Sequence, residues 1–253
     1  MKLLFFVLLF FVLLIFVLFF YLYKNSVKIV FLTKDFTLQN LLSDEDGHFS
    51  RFNSFDLLAR NSISINDYKE KIKKTVCDFT NNHKDIIIKC IEKINNILIP
   101  QIDEYWIDKS KLKNIPWKIG IINSKIYEEG LPHTRNDVII LPKSIINISK
   151  QFINTLLHEK LHVYQKLYPN DFNKYLDKNR FIKYKKYIDT DILYRSNPDT
   201  DEWIYMIDNN IYISEYRKDP KKILDVKYKP INKSSYEHPR EKSVYEILSK
   251  INY

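Results

Sequence analysis

The chain has 253 residues, 45% of them apolar, with a formal net charge of +9, three glycines and two cysteines. Gly47, Gly120 and Gly130 cannot spell GxxxxGKS/T or GxGxxG, which excludes P-loop and Rossmann nucleotide sites. Cys77 and Cys90 build neither a disulfide framework nor paired zinc knuckles, and the lysines are interspersed with acids, so no nucleic-acid partner is expected.

Residues 3–23 read LLFFVLLFFVLLIFVLFFYLY, an unbroken apolar run. A spanning helix needs about 20 such residues, and no small-residue cleavage pattern follows, so residues 1–23 are expected to be a single transmembrane anchor. Tyr21, Tyr23 and Lys24 form an interfacial belt. Lys24, Lys28 and Lys34 after the span, against Lys2 before it, lean toward a cytoplasmic soluble domain. Glycosylation of the sequons at Asn147 and Asn232 would reverse that orientation.

Residues 24–60 read as a polar stalk or linker without sustained periodicity. Residues 61–114 form a helical part, because Ile72, Val76, Phe79, Ile86, Ile87, Cys90, Ile91, Ile94 and Ile97 recur at helical spacing over 67–99. Trp117–Ile122 and Val138–Leu141 are short β-branched runs, hence strands. Ser144 to Tyr168 is free of Gly and Pro and apolar on most sides, the pattern of a central buried helix. Trp203–Ile207 and Ile211–Tyr216 pair across Asp208-Asn209-Asn210, and a last helix begins at Pro239. Strands before and after one buried helix predict an α+β domain.

The central helix contains His158-Glu159-Lys160-Leu161-His162, an H-E-x-x-H. Histidines at i and i+4 lie about 40° apart on a helix, so both imidazoles can reach one ion, and the glutamate between them can take a proton from water. With six histidines in the chain, a chance match has an expectation of about 0.01. On the wheel Thr155 and Gln165 share the histidine face, and apolar residues fill most of the rest. Burying two imidazoles and a carboxylate without partners costs several kcal/mol, and a metal supplies the partner. The competing reading is two core histidines bonded to backbone carbonyls.

A tetrahedral catalytic zinc needs a third protein ligand and an open position. Gln165 and Tyr168 stand where a metzincin has Gly and a third His. Glu241 is the favoured ligand: it lies about 20° from Leu248 on the wheel of the last helix and so faces inward with Val244. The alternative is that Glu241 only favours the helix N-terminus. Glu237 is the second choice, followed by Asp199 and Asp201.

Thr155-Leu-Leu-His-Glu-Lys-Leu-His-Val-Tyr-Gln165 and His238-Pro-Arg-Glu241 resemble the zincin metallopeptidases that use glutamate as third ligand. With Glu129-Gly-Leu-Pro-His-Thr-Arg135 and Asn197-Pro-Asp199, the chain is also similar to a group of membrane-anchored metallopeptidase-like proteins of large DNA viruses. The resemblance covers about residues 115–250. It implies a zincin-like catalytic region over 115–253, a Zn2+ held by His158, His162 and Glu241, and Glu159 as catalytic base. The E-x-x-x-D pair of thermolysin-like enzymes is missing, since Tyr245 stands four residues after Glu241. The partner of a zinc-bound histidine must then come from elsewhere, with Asp199 and Asn197 as candidates. In zincins a strand near the active-site helix runs antiparallel to bound peptide. His133 is therefore expected either to hold substrate or stabilise an oxyanion, or to be a turn histidine bonded to nearby backbone. Tyr205 and Tyr212 are read as sheet residues. The expected function is zinc-dependent hydrolysis of peptide or protein substrates at a membrane, a viral one fitting the resemblance. The alternative is a non-catalytic anchored structural or virion protein that keeps a structural metal.

Overall fold

The computed structural model describes residues 27–189, 193–229 and 236–252. The apolar run over 1–23 and the sequon at Asn232 lie outside the described residues. Among the described residues no helix is long and apolar enough to cross a membrane. The fold is α+β, with helices and two four-stranded sheets.

The first sheet is built from β1 (Ile29–Phe31), β2 (Trp117–Ile122), β3 (His133–Arg135) and β4 (Val138–Pro142), in the order β1-β2-β4-β3. β2 runs parallel to β1 and β4, and β3 closes one edge antiparallel to β4. β2 is apolar along nearly its whole length because both its faces are covered. Ile119 and Ile121, with Ile139 and Leu141 of β4, face one core, whereas Ile122, Val138 and Ile140 face another. Helix α1 (Lys34–Leu42) crosses the second face at Gly120, where any Cβ would stand 2.7 Å from Thr37 Cγ2. A side chain there would push the helix off the sheet.

The region expected to be a stalk is instead part of the folded domain. It supplies β1, paired in register with β2 (Ile29↔Trp117), then α1 and α2 (Ser54–Ala59), and it buries Leu41, Phe49 and Asp56. Its apolar residues are nearly as frequent as in the rest of the chain but follow no sustained period, and its three-residue parallel strand takes its pairing from 88 positions away (117 minus 29). The helix expected over 67–99 is two helices, α3 (Ile65–Lys73) and α4 (Asn81–Lys93), the latter continuing through a π turn at Ile94–Leu98. Between them the β-branched Val76 bridges Ile122 at the sheet margin, and the Thr80 side chain caps α4. The divisions at 60 and 114 do not separate cores: Leu41 and Phe49 pack with Tyr68 and Ile72, and Ile87, Ile91, Ile94 and Trp106 pack in one cluster with Leu156, Leu157 and Leu161.

After the short α5 (Lys109–Asn114) and the first sheet comes the central helix α6 (Lys150–Leu167). It starts later than expected, because Ser149 accepts from the Phe152 N–H and fixes the first turn there. Pro169 does not end the helical region; it opens α7 (Pro169–Lys178), where a proline is pre-set for the first helical turn. The second sheet is an antiparallel meander of β5 (Ile182–Lys186), β6 (Trp203–Ile207), β7 (Asn210–Tyr216) and β8 (Val226–Lys229). Asp208 and Asn209 join β6 to β7 with φ of 47° and 62°, the left-handed conformation those residue types tolerate. Helix α8 (Pro239–Lys250) packs on α6, and Val244 and Ile247 enter the main core.

Candidate metal centre

α6 presents His158 and His162 on the face that meets α8, one half-buried and one fully buried. Glu241 is the third residue of α8, after the His238 cap, Pro239 and Arg240. Its Oε2 lies 3.5 Å from His158 Nε2 and 3.7 Å from His162 Nε2, and the two Nε2 atoms are 2.9 Å apart. The corners of a tetrahedron around zinc, with bonds of about 2.0–2.1 Å, stand about 3.3 Å apart, so a few tenths of an ångström of opening between the histidines would admit the ion. The donor set of two imidazoles and one carboxylate fits zinc.

The electrostatics set opposite charges side by side. Burial opposes protonation of His162, but Glu241 and Asp199 outweigh it and push its pKa up to about 9. Burial likewise opposes ionisation of Glu241, yet the two imidazoles, His162 first, hold its carboxyl well below the usual range. One negative and one positive charge are thus both favoured at the same buried point.

Glu159 is buried on the adjacent face of α6, and its Oε2 accepts from Thr134 Oγ1 at 3.0 Å. Burial and the Asp199 charge raise its pKa well above the usual carboxylate range. Glu159, His158 and Glu241 all line an open cleft of about 940 Å³. Leu131, Pro132, Ile223, Leu224 and Tyr228 give that cleft an apolar arm. Tyr245, in the place of the missing aspartate, lies with its ring centroid 5.2 Å from that of His158.

The other acids named as ligand candidates stand outside the three-residue cluster. Glu237 accepts from Arg195 Nη2 and Asn197 Nδ2, each at 2.6 Å, through Oε1, and from Ser214 Oγ through Oε2. Asp201 binds the Trp203 N–H, the Tyr205 hydroxyl and the His238 ring, which fixes the start of α8. Asp199 accepts from the Thr134 N–H at 2.7 Å.

The expected partners of a ligand histidine are also corrected. Neither Asp199 nor Asn197 hydrogen-bonds a histidine ring: Asn197 Nδ2 donates to Glu241 Oε1 at 3.0 Å, and His162 Nδ1 pairs instead with Gln165 Oε1 at 2.9 Å. Gln165 had a sequence signal, its place on the histidine face; Thr134, 25 residues before Glu159, had none.

His133 lines the cleft, but both ring nitrogens are engaged. Nδ1 donates to the Leu131 carbonyl at 2.9 Å, and Nε2 accepts from the Tyr127 hydroxyl at 3.1 Å. Burial depresses its pKa, so it stays neutral. It is the turn histidine of the two readings and offers no N–H to an oxyanion. Arg135 forks onto Asp46 and is buried. The edge strand β3 is also closed at its middle residue: the Thr134 N–H is taken by Asp199 and its carbonyl by Lys166 Nζ at 2.6 Å. A peptide laid along β3 finds both groups occupied. Tyr205 and Tyr212 face each other across β6 and β7, as sheet residues.

Comparison with protein-family models, with curated proteins and with solved structures finds no match for this chain.

Proposed function

We propose that this chain is a zinc-dependent peptidase of the zincin type, held at a membrane by residues 1–23. The observation that carries the reading is the convergence of His158 Nε2, His162 Nε2 and Glu241 Oε2 on one point, beside the buried Glu159 in an open cleft. His158, His162 and Glu241 would hold the ion. Zinc, when bound, supplies a Lewis acid that polarises a carbonyl and makes water acidic near neutral pH.

The remaining work falls to side chains of the cleft. Glu159 accepts the proton of the attacking water and returns it to the leaving amine, a role helped by burial, which raises the proton affinity of its carboxylate. Thr134 Oγ1 holds one oxygen of Glu159, so the other is left for the water. Asn197 holds Oε1 of Glu241 and so directs Oε2 at the histidines. The apolar arm at Leu131, Ile223 and Tyr228 excludes water on one side and accepts an apolar substrate side chain.

Glu159 also separates this reading from a structural metal site, which has no use for a carboxylate at that position. The test is a peptide-library screen with the zinc-loaded full-length chain in detergent micelles, repeated with Glu159→Gln. Hydrolysis in the wild type that drops about 10²- to 10⁴-fold in the variant, with zinc content unchanged, supports it. Equal turnover by both proteins would overturn the catalytic assignment.

A further inference from the structure

We infer that Gln165 is the positioning residue of the metal centre: it sets the tautomer of His162 and ties that histidine to the turn of α8 that carries Glu241. The inference rests on the metal-site reading above.

Gln165 is fully buried, three residues after His162 on α6. Its Nε2 donates to the Arg240 carbonyl at 3.1 Å and to Ser243 Oγ at 2.9 Å. A carbonyl only accepts, and the Ser243 hydroxyl spends its own proton on the same Arg240 carbonyl at 2.9 Å. The amide NH2 must therefore face α8, and Oε1 must face His162 Nδ1 at 2.9 Å. The flipped amide would set oxygen against oxygen at Arg240. Because Oε1 accepts, Nδ1 carries a proton, so when the ring is neutral, the form that binds a metal, its lone pair is on Nε2. Nε2 is the atom that points at Glu241 and His158.

The same bonds reach the second helix. Arg240 immediately precedes Glu241, so the carbonyl that orients Gln165 belongs to the peptide unit leading into the third ligand. One amide thus fixes a ligand on α6 and the backbone beside a ligand on α8. Ligand histidines commonly give their other N–H to a carboxylate, which raises the basicity of the ring; a neutral amide orients the ring without that gain.

The test measures zinc affinity of the full-length chain in detergent micelles by competition with a chromogenic chelator, and records the visible spectrum of the cobalt-substituted protein. Gln165→Leu keeps the volume and removes the acceptor; it should weaken zinc binding about 10- to 100-fold and change the cobalt bands. Gln165→Glu restores an acceptor to Nδ1 and should recover most of that loss, although it gives up the donor to Arg240. Ser243→Ala leaves the Arg240 carbonyl in place and should stay close to wild type. If Gln165→Leu does not fold, Gln165→Ala takes its place in the comparison. Wild-type affinity in the Leu or Ala variant, or a Glu variant as weak as they are, overturns the inference and leaves the metal site standing. A wild-type chain that binds no zinc removes the metal site itself.

Discussion

Two buried charged clusters stand at the wall of the same cleft and are built on opposite principles. Around Glu128 every charge is answered by protein. Arg60 donates to both its oxygens at 2.9 and 2.7 Å, the Tyr68 hydroxyl adds a third bond at 2.9 Å, and His48 a fourth at 3.3 Å. Arg60 also reaches Asp56, which accepts from the Ser196 N–H and the Tyr216 hydroxyl. At His158, His162 and Glu241 the three inner atoms meet only one another, while Gln165 ties down the outer nitrogen of His162 and Asn197 the outer oxygen of Glu241. Burial of charge is common to both clusters and marks neither as a site. Ligand-type atoms converging on one point are what distinguish the candidate metal centre from the strut.

The sharpest break between the two comes from deleting a charge in each. His162→Ala or Glu241→Ala should take bound zinc from about one ion per chain to none by metal analysis, whereas Glu237→Ala should retain it. Zinc retained in Glu241→Ala and lost in Glu237→Ala would reassign the third ligand. Arg60→Met should leave zinc content unchanged but destabilise the fold by about 3–5 kcal/mol in denaturant titrations, because it strands Glu128 and Asp56. A neutral result would show that the Glu128 cluster is not a strut.

Acid should act on the strut through His48. Burial holds its pKa down to about 3, against an ordinary value of 6.5, so the unfolded chain binds a proton that the folded one refuses. Stability should therefore fall as pH drops from about 6.5 toward 3, by a few kcal/mol at about 1.4 kcal/mol per unit. Glu128, held well below the carboxylate range mainly by Arg60 against its burial, adds a loss of the same sign at lower pH. In His48→Gln the part of the slope above pH 5 should flatten; an unchanged slope there would assign it elsewhere. Removing metal should have the smallest effect. A chelator should cost the folded chain about 2.7 kcal/mol when free zinc stood at 100 times its dissociation constant, read as a lower melting temperature. Arg60→Met should show the same chelator shift.

The sequence was most informative where one element carries its own pattern. H-E-x-x-H, the β2 run at 117–122, the Asp208-Asn209 turn and the Pro239 start of α8 are all local, and each stands where its spacing or capping residue put it. The wheel position of Glu241 was enough to bring it beside the two histidines, since an inward direction on α8 is a direction toward α6. What depended on distant pairing was not legible. β1 takes its place from β2, Thr134 meets Glu159 across the edge of the sheet, and Arg60 finds Glu128 after a separation of 68 residues. No period or motif in the intervening chain reports such meetings. His133 shows the converse hazard: a histidine in a suggestive segment whose two nitrogens are used by Leu131 and Tyr127.

The most direct test of the central claim is a crystal structure of the zinc-loaded protein with anomalous scattering measured at the zinc edge. One strong peak is expected about 2.0–2.2 Å from His158 Nε2, His162 Nε2 and a Glu241 carboxylate oxygen, with one side open to the cleft. A peak on other residues, or a zinc-saturated crystal with none between the two histidines and Glu241, would contradict it.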